Sequence, residues 1–193
     1  LKQLLTQNAF IQFDIRRQGY HLHNIFTGYL RELFAEQSEE TKRKIWQAAG
    51  EWYTSEGIYL KAMESFYQAG DFDRLLVSVE RDKGNSINSE YKETIIRYFR
   101  ECPEKNKQNH PVASLVYARE LLIFGEIELF ILHCQELERD IDQLADRTRK
   151  DWLAGELELV YMFTKYNDIF AMAEHVHRAN ELLPGRSKLC DHN

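Results

Sequence analysis

Cysteine, proline and glycine are all scarce in this 193-residue chain, with three, three and nine copies. Cys102, Cys134 and Cys190 are too few and too scattered for a disulfide framework or a CxxC metal knuckle, and they point to a reducing cytoplasm. So little glycine and proline excludes an all-β architecture, which needs many tight turns, and favours long helices. No run of about 18 apolar residues occurs, and nothing at the start reads as a signal peptide, so no membrane association is expected. A basic excess is lacking too. The formal net charge is −6, with Asp and Glu spread along the chain, and direct nucleic-acid contact normally needs a basic surface.

What is present supports a folded core. Hydrophobic residues make up 44% of the chain and aromatics 12%, which excludes a disordered tail. Leu1 to Gln7 reads as the end of a helix. "AFIQFDI" and "YHLH" then alternate around "RRQG", so residues 9–23 read as a β-hairpin. From Asn24 the period changes. Ile25, Phe26, Tyr29, Leu30, Leu33 and Phe34 form one apolar stripe at helical spacing. Ser38, followed by Glu39 and Glu40, starts a helix over 39–55, and Gly57 separates it from another over 58–69. Gly70 suits a helix end and Asp71 a helix start, with helices over 72–82 and about 89–101. "CPEKNKQNHP" (102–111) reads as a polar linker. Helices near 112–124, 126–146, 149–166 and 168–183 follow.

Within these helices a repeat is legible. Trp46, Gly50, Tyr53, Gly57, Tyr59, Ala62, Phe66 and Ala69 match the tetratricopeptide (TPR) signature position by position. Small residues at Gly50 and Ala62 let two antiparallel helices approach, Gly57 makes the turn, and the aromatics fill the surrounding space. Arg74 replaces the usual terminal proline. Gly125 stands two periods of roughly 34 residues after Gly57, with Ala118 at the first small position but bulky Phe130 and Leu137 beyond it. Ala179 and Pro184 recover part of the motif. The expected fold class is therefore mainly α, a TPR-like helical repeat (α-solenoid) with a short N-terminal β-hairpin. An irregular helical bundle with a chance match is the alternative.

The order of parts carries a resemblance. A helix-plus-hairpin tail, then "YHLHNIFTGYL", then "WQAAGEWY" and a TPR-like pair, resembles the MalT-like (LAL, LuxR-type) transcriptional activators, which are STAND-class signalling ATPases. Tyr20, His23, Ile25 and Phe26 fit the Tyr-x-x-His-x-Leu/Ile-Phe phrase where that family's winged helix meets its helical arm. The resemblance is strong over 1–75 and architectural beyond. It implies the C-terminal part of a winged-helix domain at 1–23, a helical arm with a TPR-like pair at 24–103, and further TPR-like sensor helices at 104–193. No Walker A motif and no LuxR recognition helix is present. ATP hydrolysis and DNA binding would thus belong to flanking segments, and this segment, opening at Leu1 inside a helix-like phrase, reads as a non-enzymatic piece of a longer protein. It would hold no cofactor itself, with ATP or ADP implied for the parent. Its implied partners are the parent's nucleotide-binding domain and an inducer, either a small molecule or a regulatory protein, with self-association left open. A free-standing TPR-like protein–protein interaction adaptor is the competing reading.

Individual residues remain to be weighed. If the strand persists, His21 and His23 share a face about 7 Å apart. A third metal ligand is not evident, although Asp14 could lie across the hairpin, so no metal site is expected. His175 and His177 point to different sides of a helix. His23 has a sharper reading: "Leu22-His23-Asn24" resembles the Met-His-Asp phrase of related STAND proteins, whose histidine touches the β-phosphate of ADP. That resemblance makes His23 the phosphate contact and Asn24 the helix-capping residue. A histidine satisfied within the hairpin is the plain alternative. Trp52 and Tyr67 fall off the repeat's consensus positions, so one of them is a candidate for a ligand or partner groove, against ordinary inter-repeat packing. Tyr161, Phe163, Tyr166 and Phe170 pose the same choice. Residues 136–151 mix charges at helical spacing as a solvated face, and Cys134 reads as a buried thiol. No Ser–His–acid or Cys–His arrangement has local support for catalysis.

Overall fold

Turns built on left-handed glycines set the order of the helices. In the computed structural model, which describes residues 11–14, 19–187 and 189 and side chains from 22 onward, Gly57, Gly70 and Gly125 have φ of 71°, 66° and 75°. The residue after each donates its N–H five positions back, from Ile58 to the Tyr53 carbonyl, Asp71 to that of Phe66 and Glu126 to that of Leu121, each at 2.9 Å. Only a residue without Cβ takes this backbone at no steric cost, and the closure satisfies carbonyls left open at the helix end. The same sequence device thus makes three tight helix–helix connections.

The described residues are mainly helical. Two short antiparallel strands come first, β1 (Ile11–Asp14) and β2 (Gly19–Leu22), with Ile11 opposite Leu22 and Asp14 opposite Gly19. Ten helices follow: α1 (Asn24–Ala35), α2 (Glu39–Ser55), α3 (Tyr59–Gln68), α4 (Phe72–Asp82), α5 (Lys92–Glu101), α6 (Glu104–Asn109), α7 (Pro111–Ile123), α8 (Ile127–Asp142), α9 (Arg147–Met162) and α10 (Ile169–Leu182). No described helix is long and apolar enough to cross a membrane. The helix expected over 1–7 lies outside the described residues.

The chain divides into two compact units, 1–45 and 46–193. In the first, none of the α1 side chains is buried. Further on, the Ser38 hydroxyl accepts the Thr41 N–H at 3.2 Å, and Glu39 and Glu40 sit in the first turn of α2, where they meet the helix's positive end.

In the second unit α3 packs on α4, α7 on α8 and α9 on α10, while α7 also touches α4, α6 and α9. Ala113 through Ala118 are buried without a break, so α7 is covered on every side rather than on one stripe. One core extends from Ala62 to Leu189 and passes through residue 103 without interruption. Cys134 is 1% exposed, and burial pushes its thiol up to about 12.

Several boundaries depart from the sequence expectation, each for a local reason. The stretch read as a linker contains α6, with Pro103 at its N-cap, while Pro111 opens α7 at the first helical position. Both prolines start helices, where a missing N–H costs nothing. The charges of 136–151 are solvated as expected, but they lie on two helices rather than one. The helix stops at Asp142, and the Asp146 carboxylate accepts the Thr148 and Arg149 N–H groups at 3.0 and 3.2 Å to begin α9. At the far end of α9 the helix tightens at Phe163–Lys165 instead of running to 166.

Charge is buried at the end of α4, where hydropathy alone would not place it. Lys83 and Gly84 end α4 in consecutive left-handed conformations, with φ of 52° and 76°. Beside them Asp82 is 2% and Glu120 1% exposed. The Arg119 guanidinium donates to Glu120 Oε1 at 3.0 Å and also to the Lys83 carbonyl. The Asp82 carboxylate accepts the Ser86 N–H at 3.1 Å. A buried carboxylate needs such partners, because removing it from water unpaired is far costlier than any packing gain.

Candidate ligand-binding cleft

The junction between β2 and α1 fixes His23. The strand ends at Leu22, so His23 does not share a strand face with His21, and the register places Gln12, not Asp14, opposite His21. The helix-capping role expected of Asn24 belongs to His23 itself: its Nδ1 accepts the Ile25 N–H at 3.3 Å, and Asn24 is the first helical residue. An accepting Nδ1 leaves the other ring nitrogen, Nε2, as the N–H donor of an exposed imidazole.

Trp52 and Tyr67 do not come together as a ring pair. Trp52, 57% exposed, meets Tyr53 edge-on at 5.0 Å. Tyr67 lies 4.4 Å from Tyr98 under the Arg97 guanidinium. Its hydroxyl donates to Glu101 at 2.5 Å, a bond that holds its pKa above the ordinary phenol value. The second aromatic group divides: Tyr161 donates to Glu138 at 2.8 Å, whereas Phe163, Tyr166 and Phe170 are exposed. His175 and His177 take different carboxylates, Glu158 and Glu181. Among the described residues no three His, Cys, Asp or Glu side chains converge as a metal site.

A cleft that sequence reasoning missed lies where α5, α6, α7 and α8 meet. Its volume is about 300 Å³. The floor is aromatic: Phe99 stacks on Tyr117 at 4.0 Å with planes 3° apart, and His133 meets Tyr117 edge-on at 4.9 Å. Leu129 and Leu132 from α8 form an apolar wall and are 38% and 58% exposed. Arg100 and Glu136 stand on the rim with Lys107, which is held by Glu104 at 2.8 Å.

Three polar groups in this cleft have unused capacity. His133 is only 9% exposed, and its Nε2 lies 3.0 Å from the Ser114 carbonyl. A carbonyl can only accept, so Nε2 carries the proton and Nδ1 is a bare acceptor. Burial lowers the ring's pKa, against the pull of the Ser114 bond and of Glu136, and the imidazole stays neutral. Neither Nδ1 nor the Tyr117 hydroxyl has a hydrogen-bond partner among the described residues. Every fully buried side-chain nitrogen or oxygen among them is satisfied, so both atoms are within reach of solvent. Burial also pushes the Tyr117 phenol up to about 12, with Arg100 drawing it down, which keeps it a donor at neutral pH. Arg100 itself makes no ion pair among the described residues. A mostly apolar concavity with a few convergent polar groups is the general form of a small-ligand site.

A second groove, of about 370 Å³, runs between α2 and α4 over Phe66. Arg74 is engaged there by Glu51 and Asp71, while Arg81 stands beside it. Comparison with known proteins finds no family model, no curated protein and no solved structure that matches this chain.

Proposed function

We propose that this chain is the regulatory, sensor-coupling segment of a MalT-like, LuxR-type activator of the STAND ATPase class. Residues 1–23 would end its winged helix, 24–103 form the arm with a TPR-like pair, and 104–193 continue the TPR-like sensor. The observation that carries this reading is the junction at His23. An imidazole fixed by its own helix cap, with Nε2–H left outward at a helix N-terminus, suits a phosphate oxygen: ring N–H and helix dipole favour the same anion. In the resting state His23 would donate to the ADP phosphate while the winged helix packs on the parent's nucleotide-binding domain. An inducer bound to the sensor helices then shifts the protein toward its open, self-associating form by preferring that state. The site of action is the cytoplasm.

Two measurements test this. The uncut reading frame should hold a GxxxxGK[ST] loop upstream of Leu1 and a LuxR helix-turn-helix downstream of Asn193. In that parent, His23→Ala should weaken ADP retention about tenfold, in line with one lost charge-assisted hydrogen bond, and raise basal transcription. A frame lacking both segments, or an unchanged ADP dissociation rate, retires the proposal. A free-standing adaptor is the second reading, favoured by the groove between α2 and α4, which is long enough in its helical walls to take a peptide segment.

A further inference from the structure

We propose that the cleft between α5 and α8 binds a small hydroxylated organic acid with an apolar, ring-sized body. The inference deepens the sensor reading by naming the chemistry of its inducer, and it rests on that reading only for the word inducer. Binding itself is a property of the cleft.

Each part of such a ligand answers one unused feature of the site. Arg100 supplies at the rim a guanidinium without an ion pair among the described residues, and Tyr117 a hydroxyl donor that Arg100 already influences electrostatically. A planar carboxylate accepts from both, since guanidinium geometry matches two carboxylate oxygens and the phenol provides a further donor. The Nδ1 of His133 has the opposite need. It is an acceptor on a nine-tenths-buried ring, so it calls for a hydroxyl or N–H at the buried end of the ligand. Between these poles the walls are Leu129, Leu132 and Ile96, which offer an apolar body contact and no hydrogen-bonding group to a polyhydroxylated one. Lys107 and Glu136 complete the rim. Lys107 is held by Glu104 and Glu136 carries the opposite sign, so neither directs an anion as Arg100 does.

An inorganic anion does not fit this pattern, because it leaves the leucines exposed and Nδ1 without a donor. A large polyanion does not fit a volume of about 300 Å³. Nor does the cleft depend on the parent's nucleotide chemistry, since all its lining residues lie in the unit spanning 46–193.

The test is calorimetric titration of the 193-residue chain with 4-hydroxyphenylacetate and 4-hydroxycinnamate. At least one should bind in the micromolar to low-millimolar range. Phenylacetate, which lacks the hydroxyl, and 4-hydroxyphenethyl alcohol, which lacks the carboxylate, should each bind the chain at least tenfold more weakly than 4-hydroxyphenylacetate. Arg100→Gln changes an exposed side chain and Tyr117→Phe removes a single oxygen, so both should keep the wild-type circular dichroism while weakening the acid at least tenfold. The proposal is overturned if neither hydroxy acid binds at millimolar concentration, or if Arg100→Gln binds as wild type. Retained binding in a chain whose reading frame lacks the P-loop would instead leave the cleft assigned and retire only its activator context.

Discussion

Gly50→Val is expected to lower the unfolding free energy by about 2–3 kcal/mol, the upper part of the usual range for overpacking a filled interior. A Cβ at this position would sit 2.6–2.8 Å from three carbons of the Phe66 ring, closer than side-chain carbons come in folded proteins. Phe66 is 3% exposed and the Arg74 guanidinium lies over its ring at 5.8 Å, so the ring can yield only by turning toward the groove between α2 and α4. Valine recovers only about 0.3 kcal/mol of the helix propensity that glycine gives up. The midpoint of urea denaturation, followed by circular dichroism, reads the loss. The origin of the loss can be isolated: adding Phe66→Leu to Gly50→Val should recover part of it, whereas Phe66→Leu alone should destabilise. Additive losses in the double variant would mean that the clash is not between position 50 and the Phe66 ring.

Arg119→Met is expected to cost about 3 kcal/mol at pH 7, the scale for breaking a buried ion pair from one side. Methionine keeps most of the apolar stem, so the loss comes from the charge it abandons. Burial holds the Glu120 carboxyl above its ordinary value of 4.5; Arg119 opposes that rise and Asp82 adds to it. The sign of the pH dependence follows. A carboxyl whose folded pKa is raised keeps its proton in the fold at pH values where the unfolded chain has released it. Stability therefore falls as pH rises from about 4.5 through the folded value and is level above it. Without Arg119 the folded value climbs further, so the fall should be deeper and extend to higher pH. The variant should thus come nearest to wild type at pH 4.5 and be weakest at neutrality. Glu120→Gln should flatten this part of the profile, and adding it to Arg119→Met should restore most of the stability lost at pH 7. The remainder reports the Lys83 carbonyl, which also loses its donor. Urea midpoints across pH 4–8 for the four proteins decide the matter: a pH-independent loss in Arg119→Met would assign it to packing alone.

Local signals in the sequence were strong where one residue type does one geometric task. Ser38, Asp71 and the turn glycines 57, 70 and 125 mark helix ends that the backbone confirms within a residue or two. The helices 39–55 and 72–82 begin and end where their spacing places them. Proline was misread because it serves both as a breaker and as a helix opener, and polarity near Pro103 and Pro111 favoured the first sense. The cleft was harder to see. Phe99, Tyr117 and His133 come from three helices, and each sits in a run of core residues with no motif around it. Only the packing that makes α7 central brings them to one floor. A partial signal did exist: a histidine on the apolar face of α8 needs a hydrogen-bond partner, and asking for that partner would have led to Ser114. Trp52 and Tyr67 stood out for the opposite reason, since they fell outside a consensus, and that criterion says nothing about where a cavity forms.

The shallow burial of α1 has a consequence on the clock of amide exchange. A helix of 12 residues is marginal in water on its own, and no α1 side chain is fully buried, Phe26 and Phe34 being half-buried. Ile25 and Tyr29, 73% and 54% exposed, lend it little of the burial that holds α7 in place. Its amide hydrogens should pass to deuterium by fraying within seconds to minutes, while those of α7 wait for the second unit to open as a whole. Segment-resolved mass spectrometry in deuterated buffer would separate the two. Slow exchange across 24–35 would mean that α1 is held more firmly than its exposed residues imply.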